Sequence, residues 1–335
     1  MDVCILGRIG YDLYAVEHNR PLAEVRHFER QLGGSSANMA VGLARLGLKV
    51  GLISCIGKDL LADYLMGFLE QEGVDTKFVC LVEGFDTSLC LTEVSPPESF
   101  AQVFYRSKPA DTQVRIGEAE REYIRRTKML VTNGTSLAAS PSREATLDAL
   151  RTAHGAGIRT VFDMDYRASS WSAPQDAGRF ARTALQWVDV VLANETELSI
   201  LTANDDAQHQ VRNLFDSGVK LVVRKLGPKG VEAHTAGQSF SMRPFPLPVV
   251  CAVGGGDGFA AGFLYGLFRG LPIQESLRYG NAAAAVVVSQ VTCSEAMPRL
   301  QELEKVIHSH SDLTATVERD EKLTGSAQPE PTRRI

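Results

Sequence analysis

Gly254-Gly255-Gly256-Asp257-Gly258 places three glycines and a carboxylate directly ahead of an apolar run at 259–268. Consecutive glycines let a backbone approach an anion closely and turn its N–H groups inward. A helix beginning there adds partial positive charge at the same point. Asp257 can take the proton of a hydroxyl, so the combination suits phosphoryl transfer, whose loose transition state depends mostly on positioning and charge stabilisation. The field at the helix start favours the carboxylate form, which predicts a weak base. The same residues would also make a glycine turn closed by an ordinary Asp cap, and the turn alone does not choose between the two.

Other short motifs narrow the field. No GxxxxGK[ST] occurs, and no GxGxxG follows the first strand-like run, which excludes a P-loop and a dinucleotide fingerprint. Gly7-Arg8-Ile9-Gly10 reads as a tight turn after a strand. Taken singly, Asp12 reads as a turn acid, Asn194 to Glu197 as a helix cap with its acids, and Lys225 to Gly230 as a hairpin turn. Arg106 and Arg167, each alone, read as solvated surface arginines.

The elements that must hold these residues follow from apolar periodicity. Short β-branched runs at 3–6, 50–56, 128–132, 160–162, 188–192 and 221–224 read as buried strands. Helical spacing is found at 35–46, 60–72, 142–154, 177–186, 207–217 and 275–290, with Ser35 or Ser36 able to cap the first. Continuous apolar strands alternating with helices predict an α/β fold with a mostly parallel sheet covered on both faces. The stretches at about 11–32 and 87–112 alternate without a helix, so antiparallel strands meeting as a small lid are expected there. One domain over 1–310 and a mobile tail over 311–335 complete the expectation, the tail because large apolar residues become few.

Composition sets the outer bounds. A chain of 335 residues with 44% hydrophobic content can bury a large core. A net charge of −5 argues against nucleic acid as a partner. The six cysteines form no CxxC pair and read as reduced core thiols. No apolar stretch is long enough to span a bilayer and no signal-peptide pattern opens the chain, so a cytoplasmic location is expected.

Joined to Gly33-Gly34-Ser35-Ser36-Ala37-Asn38, Gly47 and Ile56-Gly57-Lys58-Asp59, the turn at 254–257 resembles the two signatures of the PfkB (ribokinase-like) carbohydrate kinase family. The resemblance covers about residues 2–308. It implies a three-layer α/β/α fold with a small β-sheet lid, ATP and Mg²⁺ as co-reactants, and transfer to a sugar hydroxyl. It further implies Asp257 as the base, Gly254, Gly255 and Gly256 as an anion hole, and Asp12, Gly34 and Asn38 in the sugar pocket. Asn194, Lys225, Gly227, Gly230 and Asn281 fall on the nucleotide side, and Glu197 would organise Mg²⁺ through water.

Phe104-Tyr105-Arg106 and Asp163-Met164-Asp165-Tyr166-Arg167 look like segments that bind sugar acids in similar kinases, which implies Tyr105, Arg106 and Arg167 as substrate contacts. An Arg fork suits a carboxylate through two parallel charge-assisted hydrogen bonds. Together with the strings at 7–14 and 227–230, these imply the terminal hydroxyl of 5-dehydro-2-deoxy-D-gluconate as acceptor, in inositol catabolism; 2-keto-3-deoxygluconate and fructose are the alternatives. The sequence departs from the family at three points. Gly255 stands where a residue such as Ala is usual, Gly258 replaces a commoner Ala or Ser, and Cys251 and Val253 stand where many relatives place an oxygen ligand for K⁺. The last makes K⁺ activation doubtful, and the departures leave a catalytically weak sugar-binding protein as an alternative of another class. Lid strands in similar kinases often pair between subunits, which implies a homodimer.

Overall fold

Each half of the chain feeds alternate side chains of its strands into two apolar layers. The computed structural model describes residues 1–96 and 100–319. The chain opens with β1 (Val3–Leu6), β2 (Gly10–Ala15), β3 (Phe28–Gly33), α1 (Ser35–Arg45), β4 (Val50–Gly57), α2 (Ala62–Gln71), β5 (Asp75–Val82), β6 (Leu89–Thr92) and β7 (Gln102–Tyr105). The middle runs through α3 (Glu118–Arg125), β8 (Met129–Asn133), α4 (Ser142–Gly155), β9 (Arg159–Asp163), α5 (Pro174–Ala184), β10 (Val190–Asn194), α6 (Glu195–Thr202) and α7 (Ala207–Asp216). It closes with β11 (Leu221–Lys225), β12 (Val231–Thr235), β13 (Gln238–Met242), α8 (Gly255–Phe268), α9 (Ile273–Val288), α10 (Leu300–Ser309) and β14 (Thr316–Arg319).

Ten strands form one sheet in the order β14-β13-β12-β11-β10-β9-β8-β1-β4-β5. It is parallel from β11 to β5 and antiparallel from β11 to β14. Val3, Ile5, Val131, Leu192 and Val223 face one layer, which α1, α2, α8, α9 and α10 cover. Cys4, Leu6, Leu130, Phe162, Val191 and Val222 face the other, against α4 to α7. This period-two alternation of apolar residues on both faces is why the strands read as continuous hydrophobic runs.

The second sheet has the order β3-β2-β6-β7 and is built from both stretches that lacked a helix. Each stretch forms an antiparallel pair, and the two pairs meet through parallel β2 and β6. Residues 97–99 of the expected lid lie outside the described residues.

Two expectations change. Ser35 and Ser36 do not cap α1, because Gly34 occupies the cap with φ 92°, a backbone conformation suited to glycine. That shift frees both hydroxyls for other partners. The chain after 310 is not all tail, since Thr316–Arg319 pairs antiparallel with β13. Backbone hydrogen bonds at an open sheet edge hold this short strand without large apolar side chains. Residues 320–335 lie outside the described residues.

Candidate active site

The polar residues gather where the parallel strands end, at their carboxyl termini, the usual crevice for ligands in open α/β sheets. Arg8 follows β1, Asn133 ends β8, Asp163 ends β9, Asn194 ends β10 and Lys225 ends β11. The start of α8 faces this row.

Gly254 caps α8 in the left-handed region, φ 83°, and a methyl group there would collide with the Cys293 sulfur. Glycine is therefore required twice over, by conformation and by close approach. Gly255 and Gly256 form the first helical positions, and Asp257 is the third. The Gly255 amide donates to the Ala252 carbonyl at 3.3 Å, whereas those of Gly256 and Asp257 have no acceptor within the helix and are available to an anion by position. Asp257 is held by Asn38 of α1, whose Nδ2 donates to Oδ2 at 2.7 Å, while Ser294 Oγ donates to Asn38 Oδ1 at 2.5 Å. Burial raises the Asp257 pKa and Asp165 adds to it; the Asn38 bond, Arg167 and Lys225 pull the other way without prevailing. The expected weak base is thus corrected: desolvation outweighs the stabilising groups and makes this carboxylate more basic than usual.

Asp257, Asp12, Gly34, Asn38, Arg167 and Gly254 line one cleft. Asp12, on β2, is buried, and that burial pushes its pKa up to about 6, with Arg8 and Arg167 opposing and Asp257 reinforcing. Six residues not singled out for the site complete the lining: Arg8, Ser35, Gln102, Phe104, Val253 and Cys293. Period-two alternation along 102–106 was the available signal for two of them. β7 turns Gln102 and Phe104 toward the cleft and Tyr105 away from it, leaving Tyr105 59% exposed.

Arg106 also departs from expectation. Its Nη1 and Nη2 donate to Asp111 Oδ1 and Oδ2 at 2.9 and 2.8 Å, and Nη1 donates to Ser88 Oγ at 2.6 Å. A bidentate pair of this kind already satisfies the fork, so Arg106 braces the root of the lid rather than lining the cleft.

Asp165 anchors the opposite wall with an unusual φ of 32°. Its Oδ2 accepts from Ser35 Oγ at 2.5 Å and Thr135 Oγ1 at 2.9 Å, while Asn133 Nδ2 donates to Ser35 Oγ and Ser36 Oγ at 3.0 and 2.8 Å. A non-glycine residue there costs about 1–3 kcal/mol of backbone strain, which this network offsets. Burial raises the Asp165 pKa, but Arg167, Arg8 and the two hydroxyls overcome it and the net direction is down. Arg167 Nη2 lies 3.1 Å from Asp165 Oδ1, and chiefly for that reason its pKa is raised.

On the other side of Asp257, Lys225 Nζ donates to Asp163 Oδ1 and Oδ2 at 2.9 and 3.0 Å. Burial works against the Lys225 charge, yet Asp163, Glu197 and Asp257 hold it protonated. A methyl at Gly256 would meet Lys225 Nζ at 3.8 Å, so the lysine stands beside the start of α8, where it can share an anion with the free amides. Gly227 and Gly230 bound the turn that joins β11 to β12. Asn281 of α9 donates to the Arg243 carbonyl at 3.1 Å and fastens the exit of β13.

Asn194 and Glu197 form a reciprocal capping box: Glu197 Oε2 accepts from Asn194 N at 2.7 Å, and Asn194 Oδ1 from Glu197 N at 2.9 Å. Glu197 Oε1 also accepts from Tyr166 N at 3.0 Å, which ties α6 to the loop carrying Arg167. Among the described residues no three His, Cys, Asp or Glu side chains could hold a metal together.

The family model for the pfkB family carbohydrate kinases matches residues 1–300. A 5-dehydro-2-deoxygluconokinase of Clostridium beijerinckii is 36% identical over 320 residues, 93% of this chain and 94% of that protein. Among solved structures, the PfkB protein of Polaromonas sp. JS666 is 26% identical with a TM-score of 0.80, covering 91% of this chain and 99% of that one. A putative ribokinase II of E. coli in complex with ATP and Mg²⁺ shares the fold at 22% identity and a TM-score of 0.83, covering 92% and 99%. The chain belongs to the pfkB family of carbohydrate kinases, phosphotransferases that act on a sugar hydroxyl.

Proposed function

We propose that this kinase transfers the γ-phosphoryl group of ATP to the terminal primary hydroxyl of 5-dehydro-2-deoxy-D-gluconate. The observation that carries the reading is the buried Asp257, fixed by Asn38 at the start of α8 in a cleft that also holds two arginines. The relatives named for that kinase activity supply the particular acid.

Asp257 takes the hydroxyl proton as the freed oxygen attacks the γ-phosphorus, and ADP departs with the electrons of the broken P–O bond. Its raised pKa suits this role, since a more basic carboxylate takes the hydroxyl proton more readily. Charge developing on the transferred group meets the amides of Gly256 and Asp257, and Lys225 stands beside the same turn. Asp12 takes sugar hydroxyls and the lid excludes competing water.

Mg²⁺ fits only indirectly, because Asp163 is paired with Lys225 and both Glu197 oxygens accept backbone hydrogen bonds. Glu197 would hold the ion through water, and the ion would supply charge neutralisation on the phosphates. The Cys251 side chain, buried against Tyr14 and Val94, supplies no oxygen ligand, which argues against K⁺ activation through that site. Exposed Val16, Val103 and Tyr105 on the lid suit a homodimer formed there.

The test is ADP production over a panel of 5-dehydro-2-deoxygluconate, 2-keto-3-deoxygluconate, fructose and ribose, with and without K⁺. The first should have the highest kcat/KM. Preference for a neutral sugar would overturn the reading.

A further inference from the structure

Arg8 is the most conspicuous charge in the cleft. The residue is only 6% exposed, yet among the described residues its guanidinium has no hydrogen-bond or ion-pair partner, and Nε is fully enclosed. Its backbone carbonyl is engaged, accepting from Ala37 N at 3.3 Å, so the strand end is fixed while the side chain is left to the cleft. A buried guanidinium without a partner is what a receptor for an anion looks like before the anion arrives, because desolvation has already been imposed and the donors remain unanswered.

Position distinguishes Arg8 from Arg167. Both arginines line the cleft and act on Asp12 and Asp165, but of the two only Arg167 is among the main charges on Asp257 and is ion-paired, to Asp165. Arg8, unpaired and acting chiefly on Asp12, is therefore assigned to the Asp12 side of the cleft. Arg167 Nε is likewise enclosed without a partner. Arg106 is closed off from both by Asp111.

We infer that Arg8, seconded by Arg167, binds the carboxylate of the acceptor and sets the preference for a sugar acid over a neutral sugar. This rests on the sugar-acid reading above. With the carboxylate held at Arg8, the far end of an extended six-carbon acid reaches toward Asp257, so the anchor also decides which hydroxyl meets the base.

The experiment compares 5-dehydro-2-deoxygluconate with its methyl ester, which keeps the hydroxyls and removes the charge. The parent enzyme should favour the acid over the ester by about 30-fold in kcat/KM, in the range for charge-assisted hydrogen bonds. Arg8→Gln should raise KM for the acid by a similar factor, with kcat changed less than about threefold and the ester's constants unchanged. Arg8→Lys should recover part of the loss, since it restores charge without the fork. An unchanged KM for the acid in Arg8→Gln, or an equal rise for acid and ester, would overturn the inference. If Arg8→Gln fails to fold, Arg8→Lys and the parent's acid-to-ester ratio decide, and a ratio near one sinks it. A parent that phosphorylates no sugar acid sinks the sugar-acid reading itself, a separate result.

Discussion

Two buried arginines, Arg106 at the root of the lid and Arg8 at the end of β1, occupy opposite electrostatic situations. Around Arg106 both terminal nitrogens have partners: Asp111 takes both fork positions and Ser88 bridges arginine and carboxylate, donating to Asp111 Oδ1 at 2.7 Å. Around Arg8 the charges are near but unbonded, and the neighbouring Asp12 carboxyl is pushed up to about 6 by burial. The first arrangement lowers the energy of the fold alone. The second is complete only with a ligand. Burial by itself does not separate a brace from a receptor; the presence or absence of a partner does.

Four measurements would break or sharpen this contrast. The largest effect belongs to the receptor side. Asp257→Asn keeps the shape and the Asn38 contact region but removes the base, and kcat should fall about 10³–10⁴-fold, equivalent to about 4–5.5 kcal/mol. Calorimetry should still record sugar binding, and turnover at the parent's rate would remove Asp257 from its role.

Next comes the brace. Arg106→Ala strands the Asp111 carboxylate in a buried site and should lower unfolding free energy by about 3–5 kcal/mol in urea titrations. Adding Asp111→Asn should return much of it. Were Arg106→Ala instead fully stable but impaired only toward acidic sugars, the assignment of the two arginines would have to be exchanged.

Asp12 comes third. Its folded-state pKa of about 6 lies above the ordinary 3.8, so between these values the folded chain binds more protons than the unfolded one. Stability attributable to Asp12 is therefore full at low pH and falls as pH rises through that window. Asp12→Asn removes the fall and should stabilise the protein by about 1–3 kcal/mol at pH 7.5, with the gain vanishing near pH 4. Thermal melts at the two pH values would show it, and an equal effect at both would contradict the burial argument.

The smallest effect is again diagnostic. Arg8→Gln should leave stability within about 1 kcal/mol of the parent or raise it, because no protein partner loses a bond. A loss of the size expected for Arg106→Ala would make Arg8 structural.

Local pattern made much of this molecule legible. The strand runs ending at Leu6, Asn133 and Lys225 were visible because apolar residues buried on both sheet faces leave an unbroken string. The glycine turn and Asp257 were visible only when joined to the segment at 33–38, since the turn alone suits an Asp cap as well as an anion site. Tyr105 and Arg106 differ from expectation for two physical reasons. One-residue parity along β7 turns Tyr105 away from the cleft, and Asp111 occupies the fork of Arg106.

Arg8 stood in plain view in Gly7-Arg8-Ile9-Gly10, yet as a sequence it read only as a turn. Charge is a property of residue type and needs no fold; whether a charge is answered depends on atoms distant in the chain. Asp111 reaches Arg106 across a short loop, Asn38 reaches Asp257 across 219 positions, and Ser35 reaches Asp165 across 130. The sequence by itself determined the family, the layered sheet and the chemistry available at 254–257. Only the tertiary structure decided which buried charges are satisfied and which wait for a ligand, because desolvation and hydrogen-bond partnership arise when separate segments pack together.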